Sequence, residues 1–107
     1  MRKVIILDSA KKDYAEINQY LLREFGPLTW KNINIEWKDK LQRIAASPQI
    51  GADLHELAGT GFGNFKKFCH KNVYAVYAFN EAEIVVYMFI PAMRDFRTHL
   101  MHRLLGA

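Results

Sequence analysis

Four basic side chains fall within residues 66–71: Lys66, Lys67, His70 and Lys71. Phe65, Phe68 and Cys69 are interleaved with them. On an extended backbone successive side chains point to opposite faces. Phe65, Lys67 and Cys69 then share one face, and Lys66 and Phe68 share the other. A lysine beside an aromatic ring fits phosphate contact combined with base stacking. The same lysines would equally well protect an exposed strand edge from pairing with another chain. A second basic group ends the chain: Arg94, Arg97, His99, His102 and Arg103. Asp95, His99 and Arg103 recur every four residues and so share one side of a helix. A histidine near a carboxylate can move a proton near neutral pH. Basic residues late in a helix also complement its dipole from a solvated face, and that plainer role is the one expected for His99 and His102. Arg94 differs. It follows a strand and Pro91, where a side chain can hang over a sheet face.

Other constellations carry less. Gly59-Thr60-Gly61-Phe62-Gly63 resembles a phosphate cradle but lacks the Gly-Lys-Ser/Thr ending and a following helix. It reads as a turn entering a strand. No third ligand accompanies the histidines, so neither a metal site nor a cofactor motif is expected. Lys11 and Lys12 lie in the first turn of a helix, where the dipole disfavours cations. They are either tolerated there or mark a surface that meets an acidic partner. Cys69 reads as an inert strand residue.

These side chains need elements to hold them. Residues 3–7 form a short apolar run with β-branched Val4, Ile5 and Ile6, expected as a strand buried on both faces, hence central or helix-covered. Asp8-Ser9 offers a helix N-cap. Ala10, Tyr14, Ile17, Leu21 and Phe25 recur at spacings of three and four, the stripe of an amphipathic helix. Gly26-Pro27 ends it, and a second helix is expected over 28–46 with the stripe Trp30, Ile33, Trp37, Leu41 and Ile44. So short a link makes the two helices an antiparallel hairpin. Residues 49–63 lose periodicity and read as a surface loop. Strands follow over 65–69, 73–79 and 84–90, the last two joined by a hairpin loop at Asn80-Glu81-Ala82-Glu83. Residues 94–105 return to helical spacing through Phe96, Leu100 and Leu104. The order is β-α-α-β-β-β-α: an α+β fold, with the αα-hairpin on a four-stranded, mainly antiparallel sheet and a C-terminal helix.

Composition bounds the rest. The chain has 107 residues, of which 50% are hydrophobic and 13% aromatic, enough for one domain with a real core. No apolar run approaches the roughly 18–20 residues of a membrane span. The N-terminus lacks the apolar length of a secretory signal, and a single cysteine cannot form an internal disulfide. A cytoplasmic location without membrane attachment is therefore expected. The formal charge is +4 and it is uneven. Residues 1–59 carry nine Lys or Arg against eight Asp or Glu, and residues 60–107 carry six against three. A basic C-terminal half fits a polyanionic partner, nucleic acid or acidic protein, or an ordinary solvated surface.

Three segments together resemble the RelE/ParE superfamily of bacterial toxins. They are the opening strand with Asp8-Ser9-Ala10, Asp13, Ile17, Tyr20 and Leu21, the run Leu57-Ala58-Gly59-Thr60-Gly61-Phe62 leading into Phe65 and Phe68, and the ending Met93-Arg94-Asp95-Phe96. The resemblance covers nearly the whole chain and implies one toxin domain over 1–107, the toxic half of a type II toxin–antitoxin pair. It implies a cognate antitoxin as partner, wrapping a segment that folds on binding over the helical hairpin, the sheet edge or the C-terminal helix. It leaves open a homodimer or a toxin–antitoxin hetero-oligomer. RelE-like members cut messenger RNA on the ribosome with basic residues around a sheet face and often a late tyrosine. ParE-like members are associated with poisoning DNA gyrase. Lys67 matches a strand lysine of the first group and Arg94 its post-strand arginine, with His99 as a substitute acid or base. Tyr74 replaces the central-strand arginine, and the late tyrosine falls near Leu100. Those two departures favour the ParE-like side, as a gyrase poison. On that reading Lys66, Lys67, His70, Lys71, Arg94, Arg97 and Arg103 are the candidate contacts to target or nucleic acid. A non-toxic binding module on the same fold is the remaining alternative.

Overall fold

In a computed structural model, which describes residues 2–55, 65–92 and 95–105, the chain begins with strand β1 (Lys3–Ile6) and helix α1 (Asp8–Ala46). A short 3-10 turn (Pro48–Ile50) follows, then β2 (Ala52–Asp53), β3 (Lys66–His70), β4 (Val73–Phe79), β5 (Glu83–Pro91) and α2 (Phe96–Leu105). The sheet order is β1-β5-β4-β3-β2, with β1 parallel to β5 and the other pairs antiparallel. The α+β class and the mainly antiparallel sheet agree with the sequence. The sheet has five strands rather than four, because Ala52 and Asp53 pair with Lys67 and Lys66 along the outer side of β3. Strand β3 is therefore covered over part of its length.

Helix α1 is the expected hairpin. Gly26, at φ 84°, ψ 169°, breaks the helical path, and Pro27 starts the second arm. A positive φ is open to glycine and costly for most other residues. The second arm stops at Ala46, before Ser47-Pro48. At the other end, the helix starts with Leu7 as its extended cap residue and no side-chain cap, so the Asp8-Ser9 cap does not form. Asp8 lies in the first turn instead, where the dipole favours it. The stripes predicted from spacing are mostly the buried ones: Ala10, Ile17, Leu21, Ile33, Trp37, Leu41 and Ile44. Phe25 is the exception and is 56% exposed at the apex, since the break at Gly26 carries the chain off the sheet there. Burying each large aliphatic side chain gains roughly 1.5–3 kcal/mol before entropy. Tyr14 locks the arms together. Its hydroxyl donates to Asn34 Oδ1 at 2.6 Å, and Asn34 Nδ2 donates to the Trp30 carbonyl at 2.8 Å. Burial pushes the Tyr14 phenol up to about 12, so it remains a donor.

The apolar run of β1 is not central. Among the described residues the strand is an edge that pairs with β5 alone, and Val4 and Ile6 turn under the hairpin. The hairpin core continues through Val73, Ala75, Tyr77, Ile84, Val86 and Phe89. A second core on the opposite sheet face holds Leu54, Val76, Met88, Ile90 and Leu100 of α2. In β5, Val86 pairs with Tyr77 and Met88 with Val76, which leaves Tyr87 as the extra residue of a bulge. The bulge resets the alternation, so Ile84, Val86 and Phe89 all face the hairpin. The turn from β3 to β4 is a two-residue hairpin at Lys71-Asn72, both at positive φ. Asn80 closes the other hairpin by accepting from the backbone N–H of Ala82 and Glu83.

Two polar ties hold connections to the sheet. The Tyr77 hydroxyl donates to the Pro48 carbonyl at 2.6 Å and accepts from Gly51 N–H at 3.1 Å. A Cβ on Gly51 would overlap the Tyr77 ring and hydroxyl, which is why glycine stands there. Burial pushes the Tyr77 phenol up to about 12. The second tie is Asp13. Its Oδ1 accepts from Arg103 of α2 at 2.6 Å and its Oδ2 from the Phe89 N–H at 3.2 Å. One carboxylate thus joins both helices to β5.

Tyr77→Phe leaves a buried carbonyl and N–H without their partner and is expected to cost about 1–3 kcal/mol in urea unfolding; an unchanged midpoint would mean that the tie carries no stability. Arg103→Ala removes a charge-assisted bond worth about 1.5–3 kcal/mol. Asp13→Ala also strips the Phe89 N–H of its acceptor, so the same measurement should show the larger loss for Asp13→Ala.

Candidate functional site

The face of the sheet under α2 receives one residue of the basic cluster, Lys67. Alternation along β3 holds as expected: Lys67 faces α2, while Lys66, Phe68 and His70 stand opposite Tyr77, Ala75 and Val73 on the hairpin side. The Lys67 ammonium lies 5.3 Å from the Tyr74 ring centroid and 4.9 Å from that of Phe96. The two rings meet edge to face at 4.9 Å. An ammonium at such a distance is attracted by the ring quadrupoles. The first residue of α2 therefore lies over the candidate catalytic lysine. Asp95 secures that placement. Its Oδ1 accepts from Thr98 N–H at 3.2 Å and its Oδ2 from the Thr98 hydroxyl at 2.9 Å, the N-cap of α2. The Thr98 backbone N–H, then its hydroxyl, hold the Asp95 carboxyl below the usual carboxylate range.

The rest of the basic cluster does not share this face. Lys66 Nζ pairs with Asp53 on β2 at 2.7 Å, and this hydrogen bond lowers the Asp53 carboxyl pKa. His70 Nε2 meets Glu36 of α1 at 2.9 Å, with its ring edge-on to Trp37 at 5.6 Å. Lys71 is exposed at the tip of the β3–β4 turn. The four residues that are neighbours in sequence thus serve two faces and a turn.

The C-terminal group divides as well. His99 and Arg103 do share a side of α2, but that side faces α1 rather than solvent. Arg103 is bound to Asp13, with side chains only 23% and 15% exposed, which shields the pair from water. His99 is half-buried beside a small pocket of about 80 Å³ that Asp13 and Glu16 also line. Both oxygens of the Asp95 carboxylate accept from Thr98, so its established role is the cap of the helix. Arg97 and His102 are exposed. Leu100, at the late-tyrosine place, is fully buried. Arg94 and the glycine run 59–63 lie outside the described residues. Asp13 is the residue that sequence reasoning missed. It entered there only among the residues of the family resemblance, although its spacing from Ala10 and Ile17 places it beside the buried stripe. Among the described residues no group of three or more His, Cys, Asp or Glu is placed to hold a metal ion, and no helix is long and apolar enough to cross a membrane.

Because the Asp95 carboxyl is held low in the folded chain, its contribution is present above the ordinary carboxylate pKa and is lost as pH falls through the folded value. Amide exchange at the start of α2 should therefore quicken on acidification, and Asp95→Asn should flatten that response. Exchange independent of pH after correction for the intrinsic rate would contradict the cap.

Comparison with known proteins adds the family. No curated protein matches the chain in sequence. Among solved structures, one described as the chromosomal ParDE TA system from P. aeruginosa superposes with a TM-score of 0.66 at 12% identity, covering 85% of this chain and 96% of that one. At that identity the likeness concerns the fold. The family described as ParE toxin of type II toxin-antitoxin system, parDE, matches residues 4–96, from β1 to the first residue of α2. On that match the chain belongs to the ParE toxin family of type II toxin–antitoxin systems.

Proposed function

We propose that the chain, acting as a single toxin domain in the cytoplasm, inhibits growth by poisoning DNA gyrase and is neutralised by a cognate antitoxin. The observation that carries the choice against RNA cleavage is the placement of Lys67. A nuclease of the RelE kind needs basic groups free to meet the scissile phosphate and the charge that develops on it. Here Lys67 sits against Tyr74 and Phe96 beneath the start of α2, and Arg103 is bound to Asp13. Tyr74, in place of the central arginine, helps to occupy the lysine rather than adding a charge. The basic groups of this face serve the fold, which favours action by contact with a protein target. Arg97 and Lys71, exposed on α2 and on the turn, remain as basic contacts for target or antitoxin.

Induction of the chain alone in a bacterium is expected to arrest colony formation, with DNA synthesis falling first and the DNA-damage response switched on. Lys67→Ala should keep that toxicity, since on this reading the lysine packs against the Tyr74 and Phe96 rings, contacts worth about 0.5–1 kcal/mol, rather than meeting a substrate. Early loss of protein synthesis with DNA synthesis intact, together with loss of toxicity in Lys67→Ala, would establish the nuclease alternative instead. Normal growth would reject both.

A further inference from the structure

Lys11 has no clear place in the fold: its contact to Asp8 is long, at 3.9 Å, between side chains 66% and 97% exposed, where ion pairs contribute little. It does, however, line a cleft of about 220 Å³ between the two arms of α1 and the sheet. Ile6, Trp37, Leu41 and Phe89 give the cleft an apolar floor, of which Trp37 and Phe89 are only 2% and 3% exposed. Tyr14 and Asn34 also line it, but they are already bonded to each other and to the Trp30 carbonyl. The remaining polar groups of the lining are two exposed ammonium groups, Lys11 and Lys38, one from each arm. Among the described residues no carboxylate lines the cleft.

We propose that this cleft seats one large apolar side chain of a partner protein segment, and that Lys11 and Lys38 pair with carboxylates flanking that side chain. The volume fits an anchor residue, since an apolar cavity of about 150 Å³ is enough to hold benzene. An anchor in a desolvating pocket supplies most of an interface's energy, and opposite charges at the rim supply rate and selectivity. The two-sided placement of the lysines selects an acidic segment over a basic or neutral one. It also gives a reason for cations in the first turn of a helix, where the dipole opposes them. The inference rests on the antitoxin reading only for the identity of the chain that carries the segment.

A display library of random short peptides, panned on the intact protein, tests it. Enriched peptides are expected to carry Trp, Phe, Leu or Met with Asp or Glu on both sides. Their affinity should fall about tenfold for Lys11→Glu/Lys38→Glu and hardly change for Lys12→Glu/Lys31→Glu, which makes the same change in net charge outside the cleft. Trp37 fluorescence should change on binding. Enrichment without acidic flanks, equal weakening by both double variants, or no enrichment at all would overturn the proposal. Growth arrest by the same variants is scored separately. Arrest by the unaltered chain that a co-expressed enriched peptide relieves, and arrest by Lys11→Glu/Lys38→Glu that it does not relieve, support the cleft. Loss of arrest in the unaltered chain counts against the toxin reading alone.

Discussion

A single carboxylate, Asp13, decides how the second face of the sheet is closed. It stands on the first arm of α1, yet both of its bonds reach elsewhere: to the backbone of β5 at Phe89 and to Arg103 of α2. Removing a carboxylate from water is costly unless each oxygen finds a donor. Here one donor is the strand's own N–H and the other a guanidinium, so the cost is offset only when hairpin, strand and C-terminal helix are all in place. With Arg103 held near one end of α2 and the Asp95 cap at the other, Phe96 comes to lie over Lys67 and Leu100 enters the core. The state of the basic face follows from this arrangement rather than from the basic residues themselves.

The hairpin on the other face answers to a different constraint. Gly26 supplies the positive φ that lets one helix turn back on itself. The two arms then lay their stripes on Ala75, Tyr77, Ile84, Val86 and Phe89. They also leave the cleft floored by Trp37, Leu41 and Phe89, with a lysine contributed by each arm. The two faces therefore divide the labour. One is sealed by α2 and its aromatic contacts, and the other carries an open apolar cleft with positive charge at its rim.

Much of this was legible in the sequence. The stripes of α1, the break at Gly26-Pro27 and the β4–β5 hairpin follow from periodicity and turn chemistry, which are local. The resemblance to the toxin superfamily, carried by short runs spread over the chain, led to the family that the comparison assigns. What escaped was non-local or broke a period. The bulge at Tyr87 shifts alternation within one strand, so no fixed period places Phe89. Strand β2 is two residues long, too short to show any pattern. The β3–β4 turn uses Lys-Asn where Asn-Gly is the strong signal. Alternation did place Lys66 and Lys67 on opposite faces, but their partners come from distant elements and were not legible: Asp53 of β2 for Lys66, and the rings of Tyr74 and Phe96 for Lys67.

The central functional claim is action by contact rather than by cutting, and purified components test it most directly. The chain is incubated with DNA gyrase and supercoiled plasmid in one vessel, and with ribosomes translating a defined message in another. The packing of Lys67 under Phe96 predicts DNA broken and held on gyrase after denaturation and proteolysis, with the message intact. An undisturbed gyrase reaction beside a message cut within its translated region would contradict it.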